Sequence, residues 1–305
     1  EFANEFIRGQ CYVGTAAPMR RMLHGLVAER LLLADGGDEA IPGLEIAWHL
    51  VRADRLHEAI PFLLAGGKES IRRGAPHEAD LALSTGLPAL TGQPRRTAIL
   101  LLAEAQQELG RWADSLRLLE AAREPFSESE ECCREVLRIG NARWLGTLTG
   151  SRLEEATSVL LGIAESEIDL EVRAKALSSS TLLISCSRSA ADIVRLGRLA
   201  EKLKALECDD YTRIHVLHAT AWHKAHTGSP QFALPTLLEG VALIRQTGTA
   251  SSIATRTLLG TGVTLCQGGM YAEAEPILRE AYEFAKRLDN PGLTANAASG
   301  MALVQ

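Results

Sequence analysis

Aromatic side chains are scarce in this sequence, at 5% of 305 residues. Large rings therefore cannot build the core, and Leu and Ala must carry the packing. No apolar run approaches the ~20 residues that cross a bilayer, and no signal peptide stands at the start. This excludes a helical membrane span. A basic excess is missing too: 32 Lys and Arg stand against 38 Asp and Glu, a formal charge of −6. That balance argues against a broad phosphate-binding surface, so no nucleic acid is expected as a partner of this segment. The six cysteines (Cys11, Cys132, Cys133, Cys186, Cys208, Cys266) form no Cys-x-x-Cys pair, and the adjacency of Cys132 and Cys133 suits no ordinary structural disulfide. Free thiols in a reducing, cytoplasmic compartment are the expectation.

Catalytic signatures are missing as well. The nearest approach to a phosphate-binding loop is Gly66-Gly67-Lys68-Glu69, but Phe62 stands where the earlier glycine belongs and no Ser or Thr follows the lysine. It reads as a helix interior or bend. Neither His-Glu-x-x-His nor Gly-x-Ser-x-Gly occurs, and no nucleophile, base and orienting group can be assembled. The segment is therefore expected to be no enzyme and to need no cofactor or metal. It begins with Glu1 rather than Met, which reads as a piece of a longer polypeptide.

What is present is helical period almost everywhere, without convincing strand alternation. Helices are expected over 16–33, 45–51, 56–72, 76–88, 94–109, 112–123, 129–148, 152–165, 168–184, 188–206, 210–227, 230–246, 250–267, 271–287 and 292–304. Short breakers separate them, among them Asp35-Gly36-Gly37-Asp38, Gly150-Ser151, Gly228-Ser229-Pro230 and Asn290-Pro291-Gly292. Connections this short make neighbouring helices antiparallel. A phrase also recurs: a glycine, an aromatic or Leu two or three residues on, then Glu-Ala or similar opening an apolar stripe. Its clearest copy is Gly269-Met270-Tyr271-Ala272-Glu273-Ala274, and others start at Gly110, Gly150 and Gly228, with a degenerate copy near Ser189-Ala190-Ala191. The period is about 40 residues, the mark of a stacked repeat array. Glycine there is expected to end the first helix of each hairpin in a left-handed conformation. The fold class is all-α: a superhelical array of antiparallel helix hairpins.

These phrases resemble the tetratricopeptide repeat (TPR), whose standard unit is 34 residues. The longer period resembles the TPR-like C-terminal region of bacterial signal-transduction ATPase regulators, the maltose-regulator-like and large ATP-binding LuxR-type transcription factors. Phe2-x-Asn4-Glu5-Phe6-Ile7-Arg8-x-x-Cys11-Tyr12 and Arg20-Arg21-Met22-Leu23-His24 are similar to the stretch closing the winged-helix-like part of that family, which commonly has His where Asn4 stands. Ala47-Trp48-His49-Leu50 and Ala53-Asp54-Arg55-Leu56-His57-Glu58-Ala59 are similar to the hairpin leading into the array. On this resemblance residues 1–40 end a winged-helix-like or linker region, and 41–305 form the repeat domain. It implies a non-catalytic sensor domain of a transcriptional regulator, binding an effector or partner protein in its groove and contacting an ATPase module elsewhere in the same polypeptide. A scaffold for protein partners, attached to another output such as a nucleotide cyclase, is the alternative.

One segment stands out within the array. His215, His218, His223 and His226 are half of the eight histidines, with Trp222 among them. At roughly 100° per residue, His215, His218, Trp222 and His226 share an arc of about 80°. Counting back from the glycine of each copy sets a register. It places His215, His218 and Trp222 on the groove face, with Trp144 and Arg256 in other copies and Thr97, Glu104 and Gln107 in the first. Three readings of this stripe stand open. Trp222 could simply fill space between helices beside exposed histidines. Trp144 and Trp222 could wall a binding groove for a small effector, peptide or protein, with His215, His218 and Arg256 as its polar or anion-reading groups. A metal centre is the third, although His-x-x-His lacks further ligands at a matching spacing.

Overall fold

The computed structural model describes residues 5–34 and 43–304, and every regular element among them is a helix. Phe2 and Asn4 of the resemblance, the break at Asp35-Gly36-Gly37-Asp38 and the boundary between 40 and 41 lie outside the described residues. In chain order the helices are α1 Glu5–Gly14, α2 Ala17–Ala34, α3 Gly43–Arg52, α4 Leu56–Arg72, α5 Pro76–Gly86, α6 Gly92–Glu108, α7 Trp112–Ala121 and α8 Glu128–Trp144. Then follow α9 Ser151–Glu165, α10 Leu170–Ser187, α11 Ala190–Lys204, α12 Asp210–Thr227, α13 Leu234–Thr247, α14 Ser252–Gln267, α15 Tyr271–Arg287 and α16 Pro291–Met301. Helix α1 falls where no helix was assigned from the sequence. The expected 76–88 and 230–246 helices each give up a few residues to tight turns at Leu87–Ala89 and Pro230–Ala233. Gly66 and Gly67 are buried in the interior of α4.

Sequential helices pack as hairpins, and each even-numbered helix from α4 onward also packs on the next even-numbered one. The result is a continuous row of α4, α6, α8, α10, α12, α14 and α16. Its core is a chain of clusters rather than one mass. Leu50, Leu63 and Leu83 anchor one cluster, Leu160, Leu177 and Leu199 the next, and Leu258 and Leu278 another. Each hairpin leaves an apolar face that its neighbour covers, so burial is local and repeated.

The glycine phrase performs as expected at Gly110 (φ +70°) and Gly269 (φ +76°), both left-handed. Elsewhere the stop differs. Helix α8 ends before Gly146 (φ +71°) instead of running to 148, and Gly150 opens α9. In the degenerate copy the left-handed residue is Arg188 (φ +52°). Gly228 takes an extended conformation, so the expectation of a left-handed stop there is corrected.

The two ends of the row meet. The Ala250 amide donates to the Arg72 carbonyl at 3.1 Å. Gly74 (φ +78°) makes room for this, because a β-carbon there would sit 2.3 Å from the Ala250 oxygen. One step along, both carboxylate oxygens of Glu108 at the end of α6 accept from Ser252, one from its amide and one from its hydroxyl, each at 2.6 Å. Ser251, the residue before α14, supplies no side-chain cap of its own. Glu108 thus satisfies the start of a helix 144 residues away, a placement that suits the partial positive charge of that terminus. The Asn290 amide group donates to the Glu108 carbonyl at 2.9 Å while its oxygen caps α16.

Candidate functional site

Where the ends meet, the row of helices forms a partly open cavity of about 80 Å³ lined by residues of α6, α8, α9, α10, α12, α14 and α16. A single water needs roughly 10–15 Å³, so there is room for several. One wall is apolar, with Val136, Ile139, Leu160 and Leu182 beside Trp144. The Trp144 ring lies flat on Trp112, with centroids 5.2 Å apart, and Gly292 comes against both rings.

The opposite wall carries charge. Lys175 on α10 bonds Glu104 at 2.6 Å and Glu171 at 2.9 Å. Glu171 also receives Lys68 at 2.7 Å and Arg72 at 2.8 Å, and Arg72 reaches Asp209 at 3.2 Å. Burial opposes the charged forms, but Glu104, Tyr211 and Glu171 hold the Lys175 pKa well above its ordinary value. Likewise burial raises the Glu171 pKa, and its lysine partners outweigh this and hold it well below the usual carboxylate range. This part of the wall is neutralised within itself.

Two guanidinium groups are not. Arg256 on α14 has no carboxylate within ion-pair distance among the described residues; its bonds all run through Nη2, to the Ser178 carbonyl (2.9 Å), Thr181 Oγ1 (3.1 Å) and His218 Nε2 (3.1 Å). Burial lowers its pKa to about 10 against the opposing pull of Glu108, so it stays charged at neutral pH. Arg143 at the end of α8 also lacks a carboxylate partner among the described residues, and its Nε is buried without a hydrogen bond. Glu108 is itself pushed up to about 7 by burial, against the lowering effect of its Ser252 bonds. The carboxylate that pulls on Arg256 therefore titrates near neutral pH.

Two of the four histidines on α12, His215 and His218, are buried, at 7% and 9% exposure. Their protons can be assigned by counting bonds. Ser178 Oγ contacts both the Lys175 carbonyl (3.1 Å) and His215 Nδ1 (2.7 Å). A hydroxyl has one proton, so both bonds form only if Ser178 donates to the carbonyl and His215 Nδ1–H donates to Ser178. His218 repeats the pattern: Thr257 Oγ1 donates to the Ile253 carbonyl and accepts from His218 Nδ1–H at 3.3 Å, while Arg256 donates to His218 Nε2. Burial, then Lys175 and Arg256 for His215, or Arg256 and His215 for His218, lower both pKa values well below normal. Both rings are neutral acceptors at Nε2. His218 has its donor; His215 Nε2, which belongs to a cavity-lining residue, has none.

Of the five residues chosen from the sequence, Trp144, His215 and Arg256 line the cavity. His218 stands behind Arg256 and positions it. Trp222 does not join them. It stacks on His226 (3.7 Å between centroids), donates to Ser185 Oγ at 3.2 Å, and lines a separate shallow hollow with Ile184 and Arg188. Of the matching positions in the first copy, Glu104 and Gln107 line the cavity and Thr97 does not. Lys175, Ser178 and Leu182 were missed. The backward count does find them when taken from Arg188, the residue that replaces glycine as the left-handed stop of α10. Among the described residues no group of three or more His, Cys, Asp and Glu is placed to hold a metal ion. No protein-family model matches the chain, and no curated protein matches it.

Proposed function

We propose that this chain is a non-catalytic sensor domain of a multidomain bacterial transcriptional regulator, and that its effector is a small molecule held in the central cavity. The observation that carries the reading is the unpaired Arg256 and Arg143 beside the unanswered His215 Nε2, all at a cavity built from helices spread over the length of the chain. Buried polar groups are ordinarily satisfied, so a cavity whose lining holds two unsatisfied ones, Arg143 Nε and His215 Nε2, beside a guanidinium without a carboxylate suits an occupant. Because α6, α14 and α16 all contribute, an occupant that fits only the closed arrangement favours closure. A ligand shifts such an equilibrium by its difference in affinity for the two states.

Transmission to an ATPase module of the same polypeptide, implied by the resemblance, needs a surface for that module. Helix α2 offers one. Met19, Met22, Leu23, Leu26 and Val27 form an exposed apolar stripe at helical spacing, of the kind that another protein surface covers. That stripe equally suits a scaffold with protein partners and another output.

A screen of metabolites by thermal shift tests the effector reading. Ligands that raise the melting temperature of the wild-type chain are expected to lose that effect in Arg256→Gln. Stabilisation unchanged in the variant would place the ligand elsewhere.

A further inference from the structure

The cavity asks for more than an anion. On one side stand charged donors: Arg256, whose Nε and Nη1 have no partner among the described residues, and Arg143, whose Nε has none among them. On the other stands an acceptor, because the proton count above puts the only ring proton of His215 on Nδ1 and leaves a lone pair at Nε2. The Ser179 and Tyr211 hydroxyls, able to donate or accept, complete the lining, and the other polar groups there are engaged. Glu104 is held by Lys175, Glu108 by Ser252, and Gln107 donates to Asn141 Oδ1 at 3.0 Å and to the Leu137 carbonyl at 3.3 Å. An occupant that brings an anionic group and a hydrogen-bond donor together answers both the guanidinium groups and the His215 acceptor. Burial, and then Lys175 and Arg256, keep His215 neutral, and the two cations also disfavour an ammonium as that donor. A hydroxyl is a neutral donor that meets the requirement. The volume of about 80 Å³ limits an occupant to a small molecule, and Leu160, Leu182 and Trp144 can cover a short carbon chain.

We propose that the cavity is a binding site for a short-chain hydroxycarboxylate, its carboxylate received by Arg256 and Arg143 and its hydroxyl donating to His215 Nε2. This deepens the effector reading above and rests on it. Guanidinium groups suit carboxylates by geometry as well as charge. A site that has a buried acceptor waiting for a hydroxyl rejects the analogue without one, since that analogue leaves the acceptor unpaired.

L-lactate and propionate differ by that hydroxyl and serve as probes, with inorganic sulfate, which carries no proton at neutral pH, as a control for simple anion binding. Calorimetric titration of the wild-type chain is expected to give one-site binding of lactate, with propionate and sulfate at least tenfold weaker. His215→Leu should bring lactate down to the level of propionate, and His215→Gln, which keeps an acceptor, should retain part of the preference. The comparison of probes on the wild type stands even if a variant fails to fold. Equal affinity for lactate and propionate would overturn the proposal, as would a lactate preference that survives His215→Leu. If lactate fails while another metabolite stabilises the chain in an Arg256-dependent way, the ligand class is wrong and the effector reading stands. If neither lactate nor any metabolite binds, both fall.

Discussion

Glu108 combines two roles in one side chain: it closes the array on Ser252 and titrates near neutrality. Its folded pKa of about 7 lies above the ordinary 4.5. Between those values the folded protein binds more protons than the unfolded chain, so this group makes stability fall as pH rises from 4.5 to 7, and the loss is complete above. The loss is on the order of 3 kcal/mol, at ~1.4 kcal/mol per pH unit. His215 and His218 act in the other direction: the unfolded rings take protons below pH 6.5 and the buried ones do not, so stability falls as pH drops through that value. The carboxyl is isolated by a difference. The gap in unfolding free energy between Glu108→Gln and the wild type should move by about 2 kcal/mol in favour of the variant between pH 5 and pH 8, measured by denaturant titration. A constant gap would assign the proton to another group. At this scale the count from the phrase glycines tolerated irregular stops, since Gly150 and Gly228, the references for Trp144 and His215, are not left-handed helix ends. Trp144, His215 and Arg256 could be found by counting from glycines. Glu108 and Ser252 could not, since nothing local in either segment points to a partner 144 residues away.

Helices and their turns were the most legible level, because period, capping and breakers are local. Ser127 and Glu130 cap α8 reciprocally, and the expected start at 129 falls within one residue of the observed one. The misplaced stops share a cause. At Arg188 the left-handed turn is made without glycine, and at α8 two glycines, Gly146 and Gly150, compete for the role. The phrase glycines also differ in what surrounds them. Gly110 and Gly269 have nearly the same backbone conformation, but a β-carbon at Gly110 would lie 2.7 Å from Pro291 Cδ, and one at Gly269 would meet nothing within 4 Å. Gly269→Ala should cost only the left-handed strain, about 1 kcal/mol. Gly110→Ala should cost at least ~1 kcal/mol more, from forced separation at the seam. Chemical denaturation of the two variants side by side measures the difference, and equal costs would remove Gly110 from the closure.

Over the whole molecule, the all-helical hairpin array was legible and its closure was not. Closure depends on small rotations summed over six or so hairpins, and no sequence window contains that sum. It changes how stability is shared. In an open array each unit depends on its neighbours alone. Here Asn290, buried at 3% exposure, joins the start of α16 to the end of α6. Asn290→Ala should therefore speed amide hydrogen exchange both in α16 and around residues 108–112, with a stability loss of about 2 kcal/mol. Faster exchange confined to α16 would show that the ends are not energetically coupled.

Repeat proteins commonly change length by gaining or losing whole units, since an open stack can end anywhere. The contacts of Gly74 with Ala250, Glu108 with Ser252 and Gly110 with Pro291 remove that freedom. The turns that follow α4 and α6 meet the turns that open α14 and α16. Deleting or duplicating one hairpin between them would rotate the far end past its seat and open all three contacts together. The number of hairpins is thus a closed count, fixed by geometry as a ring size is. Divergence in such a chain is confined to substitution and to loop insertions on the outer turns.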